Sequence, residues 1–285
     1  MRIAVFPNAA RDTGFAHTRR LISLISAHKG EALLLSSMKP LLDLPSVCYV
    51  DTLQSADLLI CLGGDGTFLS TVRLTGWAPL PTIGVNLGSV GFLPQISPDS
   101  LDYAVEQLFC GEFSVEKRMM ISVCHRGTDH GQKHQHTILN DVVLGRGISG
   151  RIVTVMLTIN EEDVERIPGD GLIVSTPTGS TAYALSAGGP IVHPQMSLFL
   201  ITPLCPHSLH NRSYLTSDRS RIRLTLLPHT EPAMVSIDGQ ENYPLTEGEY
   251  LDITRASDMF ELIRLGDDRF YKTLSAKIQQ RGTGR

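Results

Sequence analysis

The stretch Leu58-Leu59-Ile60-Cys61-Leu62-Gly63-Gly64-Asp65-Gly66-Thr67 decides how the first part of the chain folds. Its five consecutive apolar residues predict a buried strand, and its glycines allow the backbone to turn sharply into a helix expected over 67–75. The free backbone amides at the start of such a helix favour a phosphate group. The stretch therefore predicts a phosphate-binding turn at the carboxyl end of a parallel strand.

The acid in the middle of this turn is unusual. A carboxylate beside phosphates repels them unless it binds a metal or takes a proton from an attacking hydroxyl, and phosphoryl transfer uses both services. The alternative is that Asp65 only caps the helix starting near Thr67. The turn is not a dinucleotide fingerprint, because position 69 is Leu, and the chain has no Gly-Lys pair, which excludes a P-loop.

The flanking sequence predicts two domains that differ in their secondary-structure content. Up to about residue 115, short apolar strands alternate with helical patterns, which favours a Rossmann-like parallel α/β domain over 1–115. Short β-type runs separated by turn residues follow and predict a β-sandwich-like domain over 116–258. These runs lie at 120–124, 138–144, 152–159, 172–175, 198–201, 222–227, 233–237, 250–253 and 260–265.

Composition and charge narrow the class of protein. The net charge of −4 argues against a nucleic-acid-binding protein, for which a basic surface is expected. The five cysteines are scattered and odd in number, which favours free thiols in a reducing compartment. The sequence contains neither a signal peptide nor an apolar run of the ~18 residues that a membrane helix needs. We therefore expect a cytoplasmic protein without membrane or nucleic-acid partners.

A second informative stretch runs from Gly169 to Pro190 and contains Thr176-Pro177-Thr178-Gly179-Ser180-Thr181-Ala182-Tyr183. It predicts a strand leading into a turn of hydroxyl and small residues, where backbone and side-chain donors can converge on a polar ligand. The alternative is a tightly packed β-corner. A corner alone would not require Asp170, three hydroxyl side chains and Tyr183 together.

These motifs resemble those of a known enzyme family. Gly-Gly-Asp-Gly-Thr is shared by NAD kinases, by diacylglycerol and sphingosine kinases and, with a variant last residue, by phosphofructokinases. The segment 84–93 and the whole of 169–190 are similar to NAD kinase sequences, as are Asn140-Asp141, 201–209, 236–240 and 268–277. The resemblance covers residues 1 to about 278.

The resemblance implies a function and a site. A member of the NAD kinase family transfers the γ-phosphoryl group of ATP, or of polyphosphate as an alternative donor, to the adenosine ribose 2′-hydroxyl of NAD with Mg²⁺ or Mn²⁺. It implies Asp65 as general base, no metal bound directly by protein side chains, a homodimer or homotetramer, and a segment 259–285 that packs back on the first domain. The implied contacts to NAD, ATP and phosphate are Gly63, Gly64, Asp65, Gly66, Thr67, Phe68, Asn140, Asp141, Arg151, Asp170, Thr178, Ser180, Thr181, Ala182, Tyr183, Ala184, Leu185, Ser186 and Gln240.

Two rival functions and two departures from the family pattern accompany this prediction. A lipid or sugar kinase could use the same glycine-rich turn, and a non-catalytic NAD(P)-binding protein could keep Asp65 for folding alone. Asp141 stands where many relatives have Glu, and Pro168 where some have a cation.

His130, His134 and His136 are expected to lie in an exposed loop rather than in a metal site.

Overall fold

The computed structural model describes residues 1–74, 80–88, 91–148, 150–208, 211–266 and 270–282. The chain forms two compact units: Met1–Lys117 together with Phe260–Arg285, and Arg118–Met259. In the part of the chain that is described, no helix combines the length and the apolarity needed to cross a membrane.

Five helices and seventeen strands are found in the described residues, besides short 3-10 turns. The helices are α1 (Ala16–Ala27), α2 (Asp65–Leu74), α3 (Leu101–Cys110), α4 (Tyr183–Ser186) and α5 (Phe270–Gly282). The strands up to the first unit's end are β1 (Arg2–Pro7), β2 (Glu31–Leu35), β3 (Val47–Val50), β4 (Leu58–Gly63), β5 (Thr82–Asn86) and β6 (Ser114–Arg126), of which β6 continues into the second unit. The remaining strands are β7 (Gln132–Ile138), β8 (Asp141–Gly145), β9 (Val153–Ile159), β10 (Glu162–Gly169), β11 (Gly171–Ser175), β12 (Leu198–Leu204), β13 (Tyr214–Ser217), β14 (Ile222–Leu226), β15 (Ala233–Ile237), β16 (Glu241–Leu245) and β17 (Tyr250–Arg264).

The first unit is built on a parallel sheet. Its strands follow the order β5-β4-β1-β2-β3, and the end of β17 pairs with β5 through Leu262 and Thr82. The apolar run of β4 is buried along its whole length, as expected for a central strand covered on both faces. Helices α1 and α3 bury one stripe each, with Leu21 and Leu108 among the core residues.

The second unit consists of antiparallel strands that share one core. One sheet has the order β13-β12-β11-β8-β15-β16. The other contains β10-β9-β14-β17, with β6 paired to β17 and β7 paired to β6. Val142 and Val174 of the first sheet lie in the same buried cluster as Val155 and Leu224 of the second. The predicted fold class, a parallel α/β domain and a β-sandwich-like domain, is confirmed.

Several element predictions were wrong in detail. The single strand expected at 138–144 is broken into β7 and β8, and the runs 250–253 and 260–265 belong to one strand, β17. The helix expected over 67–75 begins two residues earlier, at Asp65, and ends at Leu74. Residue 75 lies outside the described residues, as does the pair 268–269 of a family-like segment. Trp77, interpreted from the sequence as a packed loop residue, and His210, interpreted as a structural histidine, also lie outside them. Strands β3, β10, β13 and β16 and helix α5 were not predicted.

The expectation that the histidines lie in an exposed loop was wrong for His134 and His136. His134 and His136 lie on β7, and both rings pack against Tyr243, at centroid distances of 4.6 and 5.4 Å. The exposed polar residues of β7 conceal a strand because only its end at Ile138 is buried. His130 precedes this strand and hydrogen-bonds the Tyr250 hydroxyl through Nδ1 at 2.9 Å.

Candidate functional site

The glycine-rich turn joins the central strand β4 to helix α2. Gly63 ends the strand, and a Cβ at that position would overlap the side chain of Thr67, so only glycine lets the turn close this tightly. The Thr67 hydroxyl receives a 2.7 Å hydrogen bond from Nδ2 of Asn8, at the end of β1. The turn is thereby held against the neighbouring strand, with the start of α2, where the helix dipole favours negative charge, directly after it.

A cavity of about 410 Å³ opens beside this turn. Its wall includes Asn8, Arg11, Gly64, Gly66 and Thr67. A cavity that combines a helix start with an arginine is suited to an anion, because backbone amides and a guanidinium both favour negative charge there. These features make the cavity a candidate phosphate site.

Arg11 is a residue that the sequence analysis missed. Its Nη1 atom lies 3.3 Å from the position that a Cβ on Gly64 would take, and a Cβ on Gly88 would overlap it. Glycine at both positions therefore leaves room for the guanidinium over the turn. The signal in the sequence is weak, since Arg11 is one of 25 Lys and Arg residues and stands in an ordinary loop after β1.

The carboxylate of Asp65 is held by the segment that follows β5. Its Oδ1 accepts the backbone N–H groups of Phe92 at 2.9 Å and Leu93 at 3.0 Å. Its Oδ2 accepts the N–H of Phe92 at 3.2 Å and the ammonium of Lys277 at 3.2 Å. A Cβ on Gly91 would stand 2.7 Å from Oδ1, so the close approach of the carboxylate requires glycine there. Asp65 is thus fixed in one orientation although a third of its side chain is exposed.

Phe68, implied as a binding residue, lies inside the first unit. Its side chain is fully buried and packs edge-on against Phe260, with ring centroids 5.5 Å apart. In this structure Phe68 anchors α2 to the core and therefore keeps Asp65 at the helix start.

In the second unit, Asn140 and Asp141 form a turn around the carboxylate of Asp238. The Asp238 carboxylate accepts three consecutive backbone N–H groups, from Leu139 at 3.0 Å, Asn140 at 2.8 Å and Asp141 at 3.0 Å. These bonds take amides 139–141 away from the strand ladder, which is why the expected strand at 138–144 is interrupted. The sequence analysis matched the segment 236–240 to the family but gave Asp238 no role.

Asp141 is a buried acid with an altered pKa. Its side chain is 4% exposed, and burial together with the nearby charge of Asp238 raises its pKa to about 7, against a smaller opposing effect of the Tyr183 backbone N–H. Asp141 is therefore linked to both Asp238 and the start of α4.

The turn Thr178–Thr181 packs directly on Asn140. A Cβ on Gly179 would overlap the carbonyl oxygen of Asn140, and that oxygen accepts the N–H of Thr176 at 2.9 Å. The Ser180 hydroxyl is buried and bonds the carbonyl oxygens of Pro177 at 2.7 Å and Val192 at 3.1 Å. The glycine and the buried hydroxyl thus shape the turn from within.

The end of this segment is more open. Tyr183 is 49% exposed at the start of α4, whereas Ala184 is fully buried. Ala182 and Leu185 are half-buried, and Ser186 is exposed. Thr178 and Thr181 are nearly buried, and Thr178 receives a 3.2 Å hydrogen bond from the guanidinium of Arg118. Tyr183 and Ser186 therefore offer the most accessible side chains of the segment.

Three other implied residues of this unit have separate partners. Asp170, between β10 and β11, forms an ion pair with Arg146 at 3.1 Å. Arg151 is exposed and donates to the Thr230 hydroxyl at 3.2 Å. Gln240, half-buried, is tied to its turn by its own N–H, which bonds the Ile237 carbonyl oxygen at 2.9 Å. The structure unites Asn140, Asp141 and 178–183 by direct contacts.

Among the described residues, no group of three or more His, Cys, Asp or Glu side chains is arranged to hold a metal ion. Mg²⁺ in enzymes is commonly held by one or two carboxylates plus substrate phosphates, and Asp65, flanked by the cavity-lining Gly64 and Gly66, fits that mode.

Comparison with known proteins identifies the relatives of this chain. The family profile described as ATP-NAD kinase N-terminal domain matches residues 46–113, and that described as ATP-NAD kinase C-terminal domain matches 139–265. The chain is 40% identical to an NAD kinase of Ruminiclostridium cellulolyticum over 283 residues, covering 98% of each chain. It is 37% identical to an NAD kinase of Acetivibrio thermocellus, covering 99% of this chain and 98% of the relative.

Two solved structures share the fold. A yeast NADH kinase in complex with NADH aligns with a TM-score of 0.91 at 22% identity, covering 100% of this chain and 89% of that chain. An NAD kinase of Archaeoglobus fulgidus in complex with ATP aligns with a TM-score of 0.76 at 26% identity, covering 98% and 99%.

Proposed function

Because the chain belongs to the NAD kinase family, we propose that it transfers the γ-phosphoryl group of ATP to the adenosine ribose 2′-hydroxyl of NAD, giving NADP. The observation that carries this proposal is the fixed Asp65 carboxylate at the start of α2, in a turn whose Gly64 and Gly66 line a cavity suited to phosphate. An acid and a phosphate site side by side are what transfer to a hydroxyl requires.

The donor phosphates are assigned to the turn 63–67. The positive end of the α2 dipole would attract the phosphate oxygens, and the Arg11 guanidinium would neutralise part of their charge. These protein groups would contact only the phosphate oxygens, so they would not distinguish one nucleotide base from another. The same cavity would therefore also admit a polyphosphate donor, and the donor assay below includes it.

Asp65 is assigned the proton of the attacking hydroxyl. Its carboxylate is oriented by the backbone amides of Phe92 and Leu93, so the protein itself fixes the group that would take the proton. As the secondary hydroxyl attacks the γ-phosphorus, its proton moves to Asp65 and ADP leaves in line.

NAD is assigned to Asn140, Asp141, Asp170, the segment 178–186 and Gln240. Asp141 is fixed beside the N–H of Tyr183, and Tyr183 itself is exposed enough to stack on a base or bond a hydroxyl. Ser180 supports this surface through its hydrogen bonds to the Pro177 and Val192 carbonyls rather than by pointing at the ligand. Arg151 is kept as a source of positive charge near phosphate.

A divalent metal, Mg²⁺ or Mn²⁺, is assigned to the nucleotide. Asp65, whose neighbours Gly64 and Gly66 line the cavity, would supply a carboxylate, and the remaining ligands would be phosphate oxygens and water. When bound, such an ion offsets the charge of the triphosphate. We further propose a homodimer or homotetramer, which light scattering of the purified protein measures. The five unlinked cysteines support a reducing, cytoplasmic compartment.

The experiment that tests the function is NADP formation by the purified protein from NAD, ATP and Mg²⁺, read through an NADP-specific dehydrogenase. We expect a rate that scales with enzyme and disappears with a chelator. Parallel assays replace ATP by polyphosphate and NAD by NADH. NAD binding without product would favour a non-catalytic binding protein, and phosphorylation of a lipid or sugar in place of NAD would overturn the proposal.

A further inference from the structure

Helix α5 places a cation directly on the proposed general base. Lys277 Nζ lies 3.2 Å from Oδ2 of Asp65 and 4.0 Å from the centre of the Phe92 ring. The lysine side chain is 19% exposed, so it is held in place on the first unit and is not a freely moving surface group. Phe92 contributes twice, because its N–H bonds Asp65 and its ring lies under the ammonium.

The position of Lys277 follows from the way α5 packs. Phe270 and Leu274 are both 8% exposed and lie on the same helix face as Lys277, since residues spaced by three and four share a face. The Phe270 ring lies 6.3 Å from that of Phe92. Next to Lys277, the helix borders a cavity of about 710 Å³ through Thr273 and Ala276. Two buried anchors on this helix face thus place the ammonium on Asp65.

This contact answers an electrostatic problem of the site. A carboxylate beside a triphosphate repels it, and the Asp65 side chain borders the turn to which the phosphates are assigned. A cation on Oδ2 offsets that repulsion. It also completes the orientation of the carboxylate, whose Oδ1 is already occupied by the amides of Phe92 and Leu93.

We propose that Lys277 is a positioning residue for phosphoryl transfer, which orients Asp65 and neutralises it enough for the anionic donor to bind next to it. The proposal rests on the assignment of Asp65 as general base and adds a role for the C-terminal helix. Lys277 acts through Asp65, so its effect depends on the carboxylate being present.

The test measures steady-state kinetics of Lys277→Ala, Lys277→Gln and Lys277→Arg, with Lys272→Ala as the matched control. Lys272 lies on the same helix and is exposed. We expect Lys277→Ala to lower kcat about 10- to 100-fold and to raise the KM for ATP more than the KM for NAD, since misplacement of a reacting group by ~1 Å costs rates of that order. Lys277→Arg should retain more activity than Lys277→Gln, and Lys272→Ala should behave as wild type.

Two further readouts separate positioning from simple folding. Added methylamine should restore part of the kcat of Lys277→Ala, because a small ammonium can occupy the vacated place. The double variant Asp65→Asn/Lys277→Ala should be no slower than Asp65→Asn alone, since the lysine works through the carboxylate. Both measurements compare folded proteins, which thermal melting of each variant verifies.

The outcomes are distinct from those that test the function itself. If wild type makes NADP and Asp65→Asn is slow, but Lys277→Ala keeps wild-type turnover, the inference is wrong and the function stands. Losses that multiply in the double variant, or a loss that methylamine does not reduce, also overturn it. Wild-type turnover by Asp65→Asn would instead remove the role of Asp65 on which the inference rests.

Discussion

The buried carboxyl of Asp141 lies close to that of Asp238, which accepts the backbone N–H of Asp141 at 3.0 Å. One acid thus holds the other in place by its amide while opposing its ionisation by its charge. Burial and this repulsion raise the pKa of Asp141 to about 7. The pair therefore ties the shape of the proposed NAD surface to pH.

The first prediction concerns stability. Because the folded protein holds the proton of Asp141 up to about pH 7 and the unfolded chain releases it near pH 4, the stabilising contribution of the protonated form is lost as the pH rises from about 4 to about 7. Each unit of pKa shift corresponds to ~1.4 kcal/mol, so the loss is at most about 4 kcal/mol. Urea unfolding at pH 5 and pH 8 should show Asp141→Asn gaining stability relative to wild type at the higher pH. Parallel pH dependence of the two proteins would contradict this.

The second prediction concerns Arg11. Its removal in Arg11→Ala should raise the KM for ATP about 10- to 100-fold and leave the KM for NAD nearly unchanged, because a hydrogen bond to a charged group contributes ~1.5–3 kcal/mol. Arg19→Ala is the matched control, since Arg19 is an exposed arginine of α1. Initial rates over a range of each substrate measure the split. An equal rise in both KM values would argue against a donor-phosphate role.

The third prediction concerns Gly91. A Cβ there would stand 2.7 Å from Oδ1 of Asp65 and equally close to Cδ of Pro94. Gly91→Ala should therefore displace the carboxylate from the amides of Phe92 and Leu93 and lower kcat at least about tenfold. The variant should still fold, which circular dichroism and thermal melting verify. Unchanged kcat in a folded variant would show that the observed Asp65 orientation is not needed for turnover.

The fourth prediction concerns Gly179. In Gly179→Ala the new Cβ overlaps the Asn140 carbonyl oxygen, so we expect a loss of about 1–3 kcal/mol in stability and a raised KM for NAD. Gly145→Ala is the control, because a Cβ there meets neighbours only at 3.5 Å or more. Urea unfolding and initial rates measure both effects. Similar behaviour of the two variants would separate Gly179 from the shape of the NAD surface.

The strands that the sequence did not predict lie at the edges of their sheets. β3, β10, β13 and β16 are the outermost strands in the orders of their sheets. An edge strand has a neighbour on one side only and often carries polar residues, as β10 does with Glu162-Asp163-Val164-Glu165. Its hydrophobic pattern is therefore too weak to identify the strand, whereas the central strand β4 has a continuous apolar run over 58–62 that predicted it to within one residue of its bounds.

The candidate site divides in the same way. Asp65 stood out because an acid in a glycine turn is chemically unusual, and Gly179 belonged to a recognisable segment. Arg11, Asp238 and Lys277 contact residues that are distant from them in the sequence. They lie in a loop, a turn and the last helix of the chain, respectively. Nothing local in the sequence marks such contacts, because they exist only once the sheets and α5 have packed.

The most direct measurement of the central claim is the turnover of Asp65→Asn compared with wild type, with NAD affinity measured separately by calorimetry. Asn keeps the size of the side chain but cannot take the hydroxyl proton. The assignment of Asp65 as general base predicts that kcat falls by about 10²- to 10⁴-fold while NAD binds within a few-fold of wild type. Near-wild-type turnover by the folded variant would contradict it.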